Sequence, residues 1–235
     1  MLVPAQCESS WPYVSSSCTS GSLRLCLPDG ELRMRSVLQD SPLRPALEGF
    51  IQASFRGHFD AHVASFLPEL VGFYNVHGEI QAAVGLRSAE QDALFLEQYL
   101  DDPIEHVLAE RLCIPIDRAS IVEVGNLAVA RCGIVRAVFQ ALTVYLAARG
   151  SLWIAFTGTQ PVLDVFRRMG LAPFRLGSAD PRRLEATGDD WGSYYDHEPQ
   201  VAGGFVPSGL QSVDTSLFDR EELRTLLRRV EFWIQ

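Results

Sequence analysis

Apolar positions recur along this chain with two different periods, and the order in which those periods alternate predicts its architecture. Leu23 to Leu27 alternates like a short strand and stops at the turn triplet Pro28-Asp29-Gly30, with a second strand over Leu32 to Val37. Pro45 then opens a helical pattern carrying Leu47, Phe50, Ile51, Phe55 and Phe59. Leu70 to Val76 and Glu79 to Arg87 read as an antiparallel pair around Gly78, and Leu94 to Leu100 as a further short strand. Pro103 starts a helix with Ile104, Val107, Leu108 and Leu112 on its apolar side. Ser120 to Ala130 is the strongest strand signal. Gly133 to Arg149 is so uniformly apolar that it predicts a buried helix. Leu152 to Thr157 follows as a strand, Pro161 to Met169 as a helix closed by Gly170, and Pro173 to Leu176 as a strand. The remainder is Gly-rich and aromatic up to a last helix from Asp219.

Antiparallel strands followed by strand–helix–strand–helix–strand predict an α+β or α/β fold, with helices on both sheet faces and at least one parallel pair. Residues 1–22 are rich in Ser, aperiodic, and predict a flexible arm. The main domain is expected over 23–205. The extension 206–235 carries an amphipathic helix, with Asp219 and Glu222 spaced as a cap and its reciprocal acid. Its stripe of Leu223, Leu226, Leu227 and Val230 suits a membrane surface. The commoner use is docking on its own domain or on a second subunit, as in a homodimer.

Composition narrows the chemistry. The 235 residues hold 20 basic and 29 acidic side chains, for a net charge of −9, and every basic residue is Arg. Without Lys there is no side-chain amine for a Schiff base and no G-x-x-x-x-G-K-[ST] phosphate loop. The acidic balance argues against nucleic acid as a partner, which calls for a basic face. Five cysteines with no C-x-x-C pair read as reduced thiols. With no basic or apolar leader pattern at the start and no 20-residue apolar span, the expected location is the cytoplasm.

Five segments carry candidate chemistry. Glu123 is a lone carboxylate on the strongest strand, where strict alternation would put it on one side with Gly125, Leu127 and Val129. A buried carboxylate is functional or neutralised by a nearby Arg, and Gly125-Asn126 marks a bulge there. Arg131-Cys132-Gly133-Ile134-Val135-Arg136 leads into a helix N-terminus and reads as an anion site or as a plain turn with solvated Arg residues. Trp191 to His197 offers Tyr194 and Tyr195 as acids, or simply an aromatic flap. His58 and His62, at i and i+4, lie on one helix face and could bind zinc, but H-E-x-x-H fails and no clear third ligand follows, so no metal is expected. Phe95, Glu97 and Tyr99 belong to a polar stretch suited to an amine substrate or to an acidic surface turn.

Several motifs occur together and in order. Phe95 to Leu100, Glu123-Val124-Gly125-Asn126-Leu127-Ala128, Trp153 to Thr159, Ala179-Asp180-Pro181 and Trp191 to Tyr195 resemble the thermostable hemolysin family over about residues 45–205. That family is similar in fold to the GNAT acyltransferases and the acyl-homoserine-lactone synthases. The resemblance implies a GNAT-like mixed twisted sheet with splayed central strands, and an N-acyltransferase acting on a small-molecule amine. The donor would be acyl-CoA or an acyl-phosphopantetheine on an acyl carrier protein. It implies that Glu123 is the general base and that Tyr194 or Tyr195 protonates the leaving thiolate. A pantetheine arm would lie along Leu127, Ala128 and Val129, with its phosphate at Arg131, Cys132, Gly133 and Ile134 and beside Arg136. Substrate would meet Phe95, Glu97, Tyr99, Asn126, Trp153 and Thr157. The usual Arg/Gln-x-x-Gly-x-Gly/Ala loop is degenerate here, which favours a longer acyl chain, with Arg131, Arg136, Arg167 and Arg168 as a carrier-docking patch. The family name carries the alternative of a non-catalytic binding or membrane-active protein.

Overall fold

The computed structural model describes residues 22–185 and 188–227. The expected N-terminal arm up to residue 21, with Cys7 and Cys18, lies outside the described residues, as do Arg228 and Val230 of the last helix. Eight strands form one sheet: β1 (Leu23–Leu27), β2 (Gly30–Val37), β3 (Glu69–Tyr74), β4 (Ile80–Ser88), β5 (Ile121–Val129), β6 (Trp153–Gly158), β7 (Phe174–Ser178) and β8 (Gln200–Phe205). Their spatial order is β1-β2-β3-β4-β5-β6-β8-β7. All pairs are antiparallel except β5 with β6. Helix α1 (Arg44–Phe59), a 3₁₀ turn over Phe95–Tyr99 and α2 (Ile104–Leu112) cover the front face. Helices α3 (Val135–Ala148), α4 (Gln160–Arg168), α5 (Val206–Leu210) and α6 (Arg220–Leu227) cover the back. The α+β class and the splayed mixed sheet are as expected.

Two elements differ from the sequence pattern. Gln200–Phe205 is a strand inserted between β6 and β7, although its two glycines, Gly203 and Gly204, hide any apolar alternation. Leu94 to Leu100 is not a strand. The Glu97 carboxylate accepts the Leu94 amide at 2.7 Å and so caps a 3₁₀ turn, a local bond that wins over β propensity. The last helix docks on its own domain: Leu223 is buried in the back core and α6 packs on α3 and β1. Asp219 caps it as expected, accepting the Glu221 and Glu222 amides, while Glu222 reaches across to the Arg24 amide instead of back to the cap.

Helix α3 is held from below by a second buried carboxylate. Glu69 accepts hydrogen bonds from the Tyr145 hydroxyl (2.6 Å), the Ser36 hydroxyl (2.7 Å) and the Arg149 guanidinium (2.6 Å). This network ties β2 and β3 to the C-terminal turn of α3.

Candidate active site

Strand β5 changes character halfway along. From Ile121 to Val124 it pairs with β4 on one side and β6 on the other. Beyond Val124 no β6 partner follows, and the two parallel strands part. At the same place β5 carries a bulge: Ala83 pairs with Ala128 and Gly85 with Gly125, so Asn126 and Leu127 face the single residue Val84. Asn126 takes a left-handed conformation (φ 47°), and the extra residue reverses the alternation of faces. Glu123 therefore points to the front, but Leu127 and Val129 pack in the back core, contrary to strict period two. Ala128 lies in the front cluster. The Ala130 amide donates to the Gln81 carbonyl, so in this register the backbone groups of Ala128 turn toward β4, and those of Leu127 and Val129 turn toward the gap.

A cavity of about 1670 Å³ includes the parting, is lined from both faces of the sheet, and also reaches the still-paired start of β5 and β6 at Ser120, Leu152 and Trp153. Its front part is lined by Phe55 and Phe59 of α1, Arg87, Phe95, Tyr99, Glu123, Asn126, Trp191 and Tyr194. Its back part runs among Phe139, Leu142, Leu146, Phe156, Val162 and Phe166 and is apolar. Trp153 and Thr157 also line it. Tyr195 and Ala128 do not.

Glu123 is 4% exposed, and among the described residues it forms no salt bridge. Its two oxygens accept the amides of Phe95 and Leu96, each at 2.9 Å, at the start of the 3₁₀ turn. Burial pushes its carboxyl up to about 7, against the pull of those two amides and of the nearby Arg87 charge. Glu97 holds that turn from the far side. It accepts the Leu94 and Ile104 amides and is gripped by Arg118 at 2.6 and 2.9 Å, and Arg118 also bonds Glu105 and the Ala89 carbonyl. Glu97 is thus turned away from the cavity, and its work is positioning the amides rather than touching substrate.

Asn126 spends its side chain on the loop before β3, accepting the Leu67 amide at 2.9 Å and donating to the Ser65 carbonyl. A Cβ at Gly85 would sit 2.7 Å from its Oδ1, which is why β4 has no side chain there.

The aromatic loop is fastened to α1. Ser193 bonds the Phe59 carbonyl through both its amide and its hydroxyl, and Asp189 accepts the Ala64 and Ser65 amides. Gly192 has φ 49°, and a Cβ there would lie 2.1 Å from the Phe59 carbonyl oxygen, so only glycine fits. Tyr194 packs edge-on against Phe59 at 5.2 Å between ring centres, and burial raises its hydroxyl above the ordinary phenol value. Tyr195 instead shares a 2.6 Å hydrogen bond with the Tyr99 hydroxyl. Burial raises both of these phenols as well.

The helix-entry segment stands apart. Arg131 is ion-paired with Asp29 of the β1–β2 turn, Cys132 and Gly133 are exposed, the Ile134 side chain is buried in the back core, and Arg136 is exposed. None of them lines the cavity. Arg167, expected in the same docking patch, pairs with Asp164. The two histidines do not share a helix face, because α1 ends at Phe59 with Asp60 left-handed, and His62 bridges Asp190. Among the described residues no group of three His, Cys, Asp or Glu could hold a metal. The sequence pattern missed Arg87, which looks like an ordinary strand end, and Arg118, whose partners are far away in the chain.

The sheet is shared with solved acyl-transfer enzymes. The N-acyl amino acid synthase FeeM from uncultured soil microbes superposes with a TM-score of 0.51 at 14% identity, covering 79% of this chain and 96% of that one. The acyl-homoserine-lactone synthase LasI gives 0.50 at 11% identity, covering 75% and 91%. At such identities the likeness is one of fold. Curated protein sequences give no match. A sequence model described as thermostable hemolysin matches residues 37–210, which include the parted strands, the 3₁₀ turn and the aromatic loop. The chain belongs to the thermostable hemolysin family.

Proposed function

We propose that this protein is an N-acyltransferase that moves an acyl group from a pantetheine thioester, acyl-CoA or acyl carrier protein, to the amine of a small metabolite such as an amino acid. The observation that carries this reading is a buried carboxyl poised near neutrality on the front wall of the cavity, just before the two strands part. A base tuned to that range takes a proton efficiently at physiological pH. The N-acyl amino acid synthase FeeM and the acyl-homoserine-lactone synthase LasI have the same fold.

In this reading Glu123 accepts a proton from the acceptor ammonium, directly or through water. The freed amine nitrogen attacks the thioester carbonyl carbon. The C–N bond forms, and as the tetrahedral centre collapses the C–S bond breaks while the nitrogen gives up its second proton, which replaces the one that the leaving thiolate takes up. Tyr194, at the cavity wall, is the nearer acid, and Tyr195 stands behind it in contact with Tyr99. The backbone edge of Leu127 and Val129 offers hydrogen bonds to the pantetheine amides. The apolar back arm takes the acyl chain, its size suiting more than an acetyl group. The turn from Arg131 to Ile134, with Arg136, meets the phosphate end, and Arg167 and Arg168 extend a basic patch for an acidic carrier protein.

The test is incubation with acyl-CoA or acyl carrier protein and an amine panel, following free thiol. Release that depends on both amine and Glu123 supports the reading. No release with any combination overturns it and leaves a binding or membrane-active protein. Among the described residues no helix is long and apolar enough to cross a membrane.

A further inference from the structure

Arg87 and Glu123 stand directly opposite each other in the β4–β5 register, on the front face. Opposite charges so placed ordinarily pair with each other. Here they do not: no salt bridge joins them. One short segment holds them apart. The Ala93 carbonyl accepts the Arg87 Nη1–H at 2.8 Å, while the next amides but one, those of Phe95 and Leu96, take both oxygens of Glu123. The Arg87 Nε–H is buried without an acceptor, one of only two such side-chain atoms among the described residues. Both residues line the same cavity.

A guanidinium with a spare desolvated donor next to a carboxylate that has no cation is a two-charge receptor. From this juxtaposition we propose that the acceptor is a zwitterion, an α-amino acid, whose carboxylate is bound by Arg87 while its ammonium faces Glu123. The inference rests on the acyltransferase reading and narrows its acceptor class. The spacing suits it, because one carbon separates the ammonium from the carboxylate in an α-amino acid and adjacent strand positions separate the two receptors. A guanidinium accommodates a carboxylate through parallel N–H donors, and the unpartnered Nε–H becomes one of them when a bound carboxylate displaces the groups that now cover it. The geometry also explains why Arg87 is not spent on Glu123: a direct pair would close both halves of the receptor.

The experiment compares leucine, tyrosine and glutamate, each beside its carboxamide and its decarboxylated amine, as acceptors with one acyl-CoA series, following thiol release. The wild type is expected to use at least one amino acid at least tenfold better, in kcat/KM, than either analogue lacking the carboxylate. Arg87→Gln is expected to raise the KM for that amino acid ten- to a hundredfold, to leave the donor KM unchanged, and to erase the preference over the carboxamide. Arg87→Lys, which keeps the charge but not the fork, is expected to recover part of it and guards against a merely unfolded glutamine variant. If the amines and carboxamides react as well as the amino acids in the wild type, the receptor is overturned while the acyltransferase stands. An unchanged preference in folded Arg87→Gln overturns it equally. If no acceptor releases thiol, the acyltransferase reading itself fails and takes this inference with it.

Discussion

The sheet buries two carboxylates, one on each face, and they are kept in opposite ways. Glu69 at the back is 8% exposed and is met by a guanidinium and two hydroxyls, all from side chains. Glu123 at the front is 4% exposed and is met by two backbone amides, with a cavity beside it. Neutralising partners make the first a joint between strands and helix. Withholding a cation from the second leaves its charge costly, which raises its affinity for a proton toward neutrality, the range in which a base is useful. Burial alone does not separate the two acids; what differs is the cation, present at Glu69 and withheld from Glu123, and the cavity beside Glu123.

The contrast can be broken most sharply at Glu123. Glu123→Gln is expected to lower turnover by roughly two to four orders of magnitude while the far-ultraviolet circular dichroism stays that of the wild type. A variant with normal turnover would make Glu123 a second joint. Next in size is a dependence of stability on pH. The folded carboxyl lies near 7, above its ordinary value of 4.5, so between those values the folded state keeps a proton that the unfolded chain has released. Stability from this group is present below about 4.5 and is lost as pH rises through 7, by roughly 3 kcal/mol in all. Urea unfolding from pH 5 to pH 8 should show that decline in the wild type and not in Glu123→Gln.

Glu69→Ala should do the reverse of Glu123→Gln, costing about 2 kcal/mol of stability by stranding Tyr145 and Arg149, a figure reduced because Arg149 is partly solvated. The activity of the folded fraction should hold, and a loss of activity beyond the loss of folded protein would erase the distinction between the two acids. The mildest change is Glu97→Gln. It removes the Glu97 charge, which by itself lowers the Glu123 carboxyl, but it also loosens the turn that presents the Phe95 and Leu96 amides, whose pull on that carboxyl is the larger effect, so the net expectation is a further rise. The acid limb of the rate profile should move to higher pH, with about a tenfold loss near pH 7. A uniform loss at every pH would mean that Glu97 acts in some other way than by positioning those amides.

How much of this was legible in the sequence follows from the range over which each interaction acts. Helices α1 to α4 and strands β1 to β6 carry their own period, and Gly125-Asn126 announced the bulge. The bulge's consequence was not legible, because one inserted residue moves Leu127 and Val129 to the other face while leaving the residue pattern apolar throughout. β8 was hidden because Gly203 and Gly204 replace side chains where Phe174 and Ile154 press on the strand. Glu97 was visible as a charged group and misassigned as a substrate contact, since the Arg118 that claims it arrives from 21 residues away. Arg87 was invisible because its significance lies in an acceptor it lacks.

The cavity that passes through the sheet has a consequence for the order of events. With the apolar arm on the back and the two charges on the front, a thioester and an amine can occupy opposite sides of one opening without crossing each other's path. Among the described cysteines, Cys26, Cys113 and Cys132 are exposed and none borders the opening, so none of these three thiols is placed to carry an acyl group between visits. For the proposed acyl transfer this layout predicts a ternary complex and direct handover, with initial-velocity lines that intersect rather than run parallel. The parted strands would then serve as a doorway with two thresholds, one for each reactant.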